Sequence, residues 1–252
     1  MGACAIHRKS RGRGGPRRGA QGGAVLVELY IILPIFALLM GGIFELSMLY
    51  RARAVLDAAT FEAAQQGSLQ NALLAPMQRG LAEGMAPHLL RGRTPAAVVQ
   101  SLAEARGRVL VGGGGIRIIS PNRAIFDRFA QRQTVRTTVD SAEIGQRVIP
   151  NDNLMWRSAA VQQVRVGNEN VPMTLQDANV LKIESHWCER LKVPILDRAI
   201  ARIVNGPLVV PAQCIGVKLA DDARYGRPGH YIVLRSHSIA RMQSPVLRTN
   251  LN

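Results

Sequence analysis

Two groups of residues in this chain stand where a chemical role would place them. One is a pair of carboxylates bracketing an apolar run; the other is a few cysteines and histidines far along the sequence. Glu28 comes soon after Gly22-Gly23-Ala24, in a run that stays apolar to Tyr50. Between Glu28 and Glu45 lie sixteen residues with no ionisable side chain except Tyr30. A carboxylate in hydrocarbon is costly unless it is paired or protonated, so an acid there marks a function. The chemistry on offer is charge pairing. A cut between Gly23 and Ala24 would make Ala24 the first residue and Glu28 the fifth, stacked at i and i+4 on one helical face. The new α-amino group and the carboxylate would then neutralise each other, within one chain or between neighbours, offsetting desolvation. Glu45 lies about 26 Å further along a helix, rotated away from the Glu28 face. It falls near the outer interface, where a solvated carboxylate is the expectation and a partner contact the other option.

His186, Cys188, Cys214 and His230 are residue types that bind zinc, but no CxxC or HxxxH spacing joins them. A cysteine nucleophile needs an activating base beside it, and the sequence places none. Carboxylates are scattered without a pairing motif. No catalytic site, metal or cofactor is expected, and a structural role follows. The third cysteine is Cys4. If the leader is removed, Cys188 and Cys214 remain as an even pair; a disulfide is the natural expectation in an oxidising compartment, with two buried thiols as the alternative.

The element that must position Glu28 is the apolar run, residues 24–49. As helix it is about 39 Å long, enough to cross a hydrocarbon core of about 30 Å. Before it, residues 1–23 carry Arg8, Lys9, Arg11, Arg13, Arg17 and Arg18 and no acid. That composition cannot build a core. Its charge puts this end in the cytoplasm by the positive-inside bias, with Arg51 and Arg53 as a weaker counter-signal. The net charge of +15 invites a nucleic-acid reading. Without the six leader cations it falls to +9, spread as single arginines with few aromatics for base stacking. No nucleic-acid partner is expected.

A basic leader ending in glycine, then a cut, then glutamate at position five of an apolar helix resembles the class III signal of type IV pilins and pseudopilins. The stretch Gly23-Ala24-Val25-Leu26-Val27-Glu28-Leu29-Tyr30-Ile31-Ile32-Leu33-Pro34 resembles the TadE-like proteins, minor pseudopilins of tight-adherence (Flp) pili. Leu29 stands where an aromatic is usual, with Tyr30 one place later. The resemblance implies cleavage by a prepilin peptidase after Gly23, with Glu28 and Tyr30 in recognition and assembly. It implies as partners the peptidase, a related minor pseudopilin, the major Flp pilin, the Tad inner-membrane platform driven by a cytoplasmic ATPase, and membrane lipid. It also implies a single-pass protein of the bacterial inner membrane, its C-terminal domain periplasmic. The alternative is an uncleaved inner-membrane anchor with a periplasmic binding domain. A second stretch, residues 231–245 ending Arg241-Met242-Gln243-Ser244-Pro245, resembles the C-terminal part of longer TadE-like proteins.

The expected class is α+β: a transmembrane and stalk helix over 24–66, a helical connector over 67–110, and a β-rich, pilin-like head over 111–252 with an antiparallel sheet. Arg53 and Asp57 form an i,i+4 pair, and Ala52, Val55, Leu56, Ala59 and Ala63 make an apolar stripe. Residues 69–90 read as helix interrupted by Pro76 and Pro87. Thr94 caps a short helix with Pro95 at its first position, running to Arg108. Gly112 to Gly115 make a turn or joint; no phosphate loop follows. Candidate strands are 116–119, 134–139, 161–166, 180–188, 209–218 and 231–238. In 180–188, Leu181, Ile183 and Trp187 share one face and Lys182, Glu184 and His186 the other. After Pro194, Ile195, Ala199, Ile200 and Ile203 recur at helical spacing, with Asp197, Arg198 and Arg202 facing away. That helix should lie on the sheet, with a shallow membrane-surface role as the alternative; it is too short to span a bilayer.

Overall fold

The computed structural model describes residues 22–112, 115–135, 144–206, 210–248 and 251. Residues 1–21 of the leader, with Cys4, then Gly113 and Gly114, residues 136–139 of one candidate strand and Val209 of another lie outside the described residues. Two compact units divide the chain, Met1–Gly41 and Gly42–Asn252.

Helix α1 runs Gly22–Leu69. In the first unit its apolar side chains face outward, as a helix built for lipid requires; Leu29, Ile31, Leu33, Ile35 and Phe36 are all more than half exposed. Helix α1 is the one described helix long and apolar enough to cross a membrane.

In the second unit α1 carries a buried stripe of Ala52, Leu56, Ala59, Ala63 and Ala64. Small residues there let a second helix come close. Helix α2 (Leu74–Leu89) sets Gly80 and Gly84, one turn apart, against Ala63 and Ala59. A Cβ on Gly84 would sit 2.6 Å from the Ala59 Cα. Pro76 falls in the first turn of α2 and Pro87 in its last, so one helix forms between them where an interruption was expected. Helix α3 (Pro95–Leu110) starts on Thr94, whose hydroxyl accepts the Ala97 N–H at 3.3 Å.

Next come β1 (Ile116–Ser120), α4 (Arg123–Phe129), β2 (Gln131–Val135) and β3 (Ile144–Ile149). A hairpin of β4 (Gln162–Val166) and β5 (Glu169–Met173) follows, then the four-residue α5 (Leu175–Ala178) and the long β6 (Val180–Arg190). Helix α6 (Leu196–Asn205), α7 (Ile215–Tyr225), β7 (Tyr231–Arg241) and β8 (Val246–Leu247) complete the order. Among the described residues all pairings are antiparallel and fall into three sheets, β1-β6-β7, β2-β3-β8 and β4-β5. The α+β class holds, with the β structure shared among three sheets.

β6 organises the main sheet, because both of its faces are covered. Leu181, Ile183, Ser185 and Trp187 are fully buried on the odd-numbered face. Ser185 hydrogen-bonds Thr60 of α1, and Glu189 meets His88 of α2 at 3.0 Å. On the paired strand, Ser236 donates to Asp57 of α1 at 2.6 Å. The even-numbered face carries Cys188, joined to Cys214 by a disulfide with Cα atoms 5.6 Å apart. Tyr231 of β7 shares that face and donates to Asp221 of α7 at 3.0 Å. Asp221 also takes Arg108 of α3 at 2.8 Å, so α7 is bound both to the sheet and to α3.

The expected strand over 209–218 is a correction. A short 3-10 turn over Ala212–Cys214 leads into α7 instead. Ile215 and Val217 mimic strand alternation over three residues. Beyond them Val217 and Asp221 are buried four apart, Lys218 pairs with Asp222 at the same spacing, and Gly226 ends the helix in the left-handed region at φ 64°.

The Arg241-Met242-Gln243-Ser244-Pro245 stretch closes the far end of α1. The last carbonyls of a helix have no partner within it. The Ser68 carbonyl receives the N–H groups of Gln243 and Ser244, each at 3.0 Å, and the Ser244 hydroxyl at 2.9 Å. Asn71 reaches back to the Pro245 carbonyl at 2.7 Å.

Candidate functional site

Helix α1 begins at Gly22, so Gly23 and Ala24 lie in its first turn. Two consecutive glycines weaken that turn, each costing about 1 kcal/mol relative to alanine. The first N–H groups have no intrahelical acceptor in any case. A peptide bond there is opened from helix to extended backbone at low cost, which a protease requires. Glu28 is exposed one turn beyond Ala24 and has no hydrogen bond or ion pair among the described residues. Tyr30 is 82% exposed. Pro34 lies inside the helix and has no N–H to give the Tyr30 carbonyl. Leu26, Leu29, Tyr30, Leu33 and Pro34 line an open apolar hollow of about 420 Å³ beside that gap. The geometry is that of a helix able to take an apolar neighbour, with one carboxylate awaiting a cation.

Glu45 corrects the expectation of a solvated acid: it is 1% exposed. The loop after β6 folds over it. The Lys192 N–H lies 3.1 Å from both carboxylate oxygens, and the Val193 N–H donates at 2.8 Å. Successive backbone N–H groups around an anion form a small concave nest. Charge-assisted bonds of this kind are about twice as strong as neutral ones, which compensates for the lost hydration. Ile195 takes a positive φ of 74° as the loop turns, and the Asp197 N–H closes it on the Val193 carbonyl at 2.9 Å. The signal available in sequence was that Glu45 has Gly41 and Leu49 as its i±4 neighbours. No cation lies within one turn, so its partner had to come from elsewhere.

This arrangement is an outward-facing apolar helix that starts on a glycine pair, carries Glu28 in its second turn, and has Glu45 held by the loop after β6. Residues 23–65 match the TadE-like protein family. The TadE-like region opens on Gly23 and takes in Ala24, Glu28, Tyr30, Pro34 and Glu45. It ends four residues before α1 does. No curated protein and no solved structure matches the chain. The helices and sheets after the TadE-like region therefore rest on their own geometry.

The histidines and cysteines are not brought together as a set. Cys188 and Cys214 are bonded to each other. His230 pairs through Nδ1 with Asp197 at 3.0 Å. The His186 Nε2 accepts the Gly115 N–H at 3.2 Å; burial holds its pKa below the usual histidine value, and the neighbouring Arg235 acts the same way. Among the described residues no group of three or more His, Cys, Asp or Glu side chains is placed to hold a metal. Elsewhere, the Arg117 guanidinium holds the Glu184 carboxyl below the usual range. Burial and Asp221 push the Tyr231 phenol well up, so that hydroxyl stays a donor.

Proposed function

We propose that this chain is a minor pseudopilin-like membrane protein of Tad (Flp) pilus biogenesis, processed by a prepilin peptidase after Gly23, with a structural rather than catalytic role. The observation that carries the proposal is the spacing at the start of the TadE-like region: a helix beginning at Gly22, the Gly23–Ala24 bond in its first turn, and an unpaired Glu28 one turn on. Cleavage there releases six cations and leaves one α-amino group about 6 Å along the helix axis from the Glu28 residue. The two charges cancel, and the helix becomes apolar enough to slide between neighbouring helices. The basic leader places the N-terminus in the cytoplasm. The Cys188–Cys214 bond suits a head in the periplasm. The partners that fit are the peptidase, a related minor pseudopilin, the major Flp pilin and the Tad inner-membrane platform.

Complementation with Glu28→Ala tests the assembly role. The variant inserts into the membrane and fails to support pili. Normal piliation would remove Glu28 from the account and favour a plain anchor.

A further inference from the structure

A cavity of about 280 Å³ opens beside the Glu45 clamp, between α1, the end of α2 and the loop after β6. Arg51, Arg91, Arg108, Arg190 and Lys192 line it, against one carboxylate, Glu189. Two of these charges are already spent: Arg108 is held by Asp221 at 2.8 Å, and Glu189 by His88 at 3.0 Å. The Arg190 guanidinium stacks over the Tyr225 ring at 4.6 Å, and Arg91 donates to the Tyr225 hydroxyl. Lys192 is 3.7 Å from Glu189 with its side chain 41% exposed. Arg51 has no hydrogen bond or ion pair among the described residues. With Arg91 3.9 Å from Glu104, and Arg108 held by Glu104 and Asp221, Arg51, Arg190 and Lys192 still outnumber Glu189, and the arginine guanidinium groups suit phosphate oxygens.

Its height on α1 says which phosphate. The headgroup layer of a bilayer is about 5–8 Å deep on each side. Arg51 lies five residues past Leu46, or about 7.5 Å. Ile43, Phe44 and Leu46, just before it, are exposed and apolar. Helix α6 supports the same level. It packs through Ala201 with Leu49 of α1 at its edge, yet leaves Ile203 83% exposed, with Ile195 before it 75% exposed. Arg198 and Arg202 flank these apolar residues, the pattern of a helix at a lipid interface.

Given the membrane-spanning reading of α1, we propose that this cavity binds the phosphodiester headgroup of an anionic phospholipid in the outer leaflet, with Arg51 and the partly exposed Lys192 beside Glu189 as the cations that meet it. The lipid seats the head on the membrane at a fixed height and rotation.

The test is native mass spectrometry of the full chain in a neutral detergent, titrated with phosphatidylglycerol, with phosphatidylcholine, or with soluble glycerol phosphate. Phosphatidylglycerol is retained about tenfold more tightly than phosphatidylcholine. Arg51→Gln with Lys192→Gln loses that preference by about tenfold, the scale of one charge-assisted hydrogen bond. Both substitutions leave the Lys192 N–H on Glu45 untouched, and Arg132→Gln with Arg165→Gln, away from the cavity, keeps the preference. Equal retention of the two lipids overturns the proposal, as does a double variant that binds like the parent. Displacement by glycerol phosphate at the lipid's own concentration overturns the lipid assignment in favour of a soluble phosphate. The readout does not depend on cleavage after Gly23, so failure here leaves the pseudopilin reading standing, and the reverse.

Discussion

The Glu45 carboxylate is bound by the backbone N–H of Lys192, 147 residues further along the chain, at 3.1 Å to each oxygen. With the Val193 N–H at 2.8 Å, this closes the head onto the helix at the level where its apolar run ends. The contact ties the Glu45 turn of α1 to the loop after β6 through charge-assisted hydrogen bonds.

Removing that acceptor leaves the part-buried Lys192 and Val193 N–H groups without it. Glu45→Ala should destabilise the head by about 2–4 kcal/mol, since each unsatisfied buried group costs about 1–3 kcal/mol. Glu45→Gln keeps one carbonyl oxygen and should lose less. Denaturant unfolding of the full chain in micelles measures both. Equal stability of the parent and Glu45→Ala would contradict the clamp.

The approach of α1 to α2 is set by Gly84. A methyl group there meets the Ala59 backbone at 2.6 Å, so Gly84→Ala must push the helices apart. The expected cost is about 1–3 kcal/mol, the range for overpacking a tight contact. Gly107→Ala, with open space around its Cβ, should be neutral or mildly stabilising in α3. Thermal unfolding of the two variants compares a close contact with a free helical site.

The disulfide closes a loop with a sequence separation of 26, and chain entropy assigns it about 3.5 kcal/mol. Cys188→Ser should lower stability by that order, and Cys214→Ser by a similar amount. The intact mass of the parent should fall short of the reduced chain by two hydrogens. A reduced parent from an oxidising compartment would contradict the bond.

Histidine 186 sets a pH slope. Burial depresses its folded pKa below the unfolded value of about 6.5. Between the two values the unfolded chain binds more protons, so stability is full above about pH 6.5 and falls as pH drops through the depressed folded value. The ring is about half buried, so solvent limits the size. His186→Gln should flatten this part of the stability–pH curve, and proton NMR of the ring should titrate below the usual histidine range.

Local pattern made much of the fold readable. The apolar run gave α1, the alternation of Leu181, Ile183 and Trp187 gave β6, and Thr94-Pro95 marked the start of α3. What stayed hidden depends on partners distant in sequence. Glu45 looks solvated until the Lys192 loop is placed over it. The Gln243 and Ser244 cap on the Ser68 carbonyl joins residues too far apart in sequence to be read from it. Helix α7 was misread because Ile215 and Val217 fit strand and helix alike, and the Lys218–Asp222 spacing that separates them lies past the point where the apparent strand ended. The spacing of Gly23, Ala24 and Glu28 is purely local, one turn of one helix.

The measurement that bears most directly on the account is the N-terminus and intact mass of the membrane-extracted protein, made with and without its prepilin peptidase. The account predicts a chain starting at Ala24 when the peptidase is present, and a full-length chain when it is absent. A full-length chain in both would contradict it and leave an uncleaved anchor. A start well beyond Leu49 would mean a conventional signal peptide and would remove the membrane helix from the mature protein altogether.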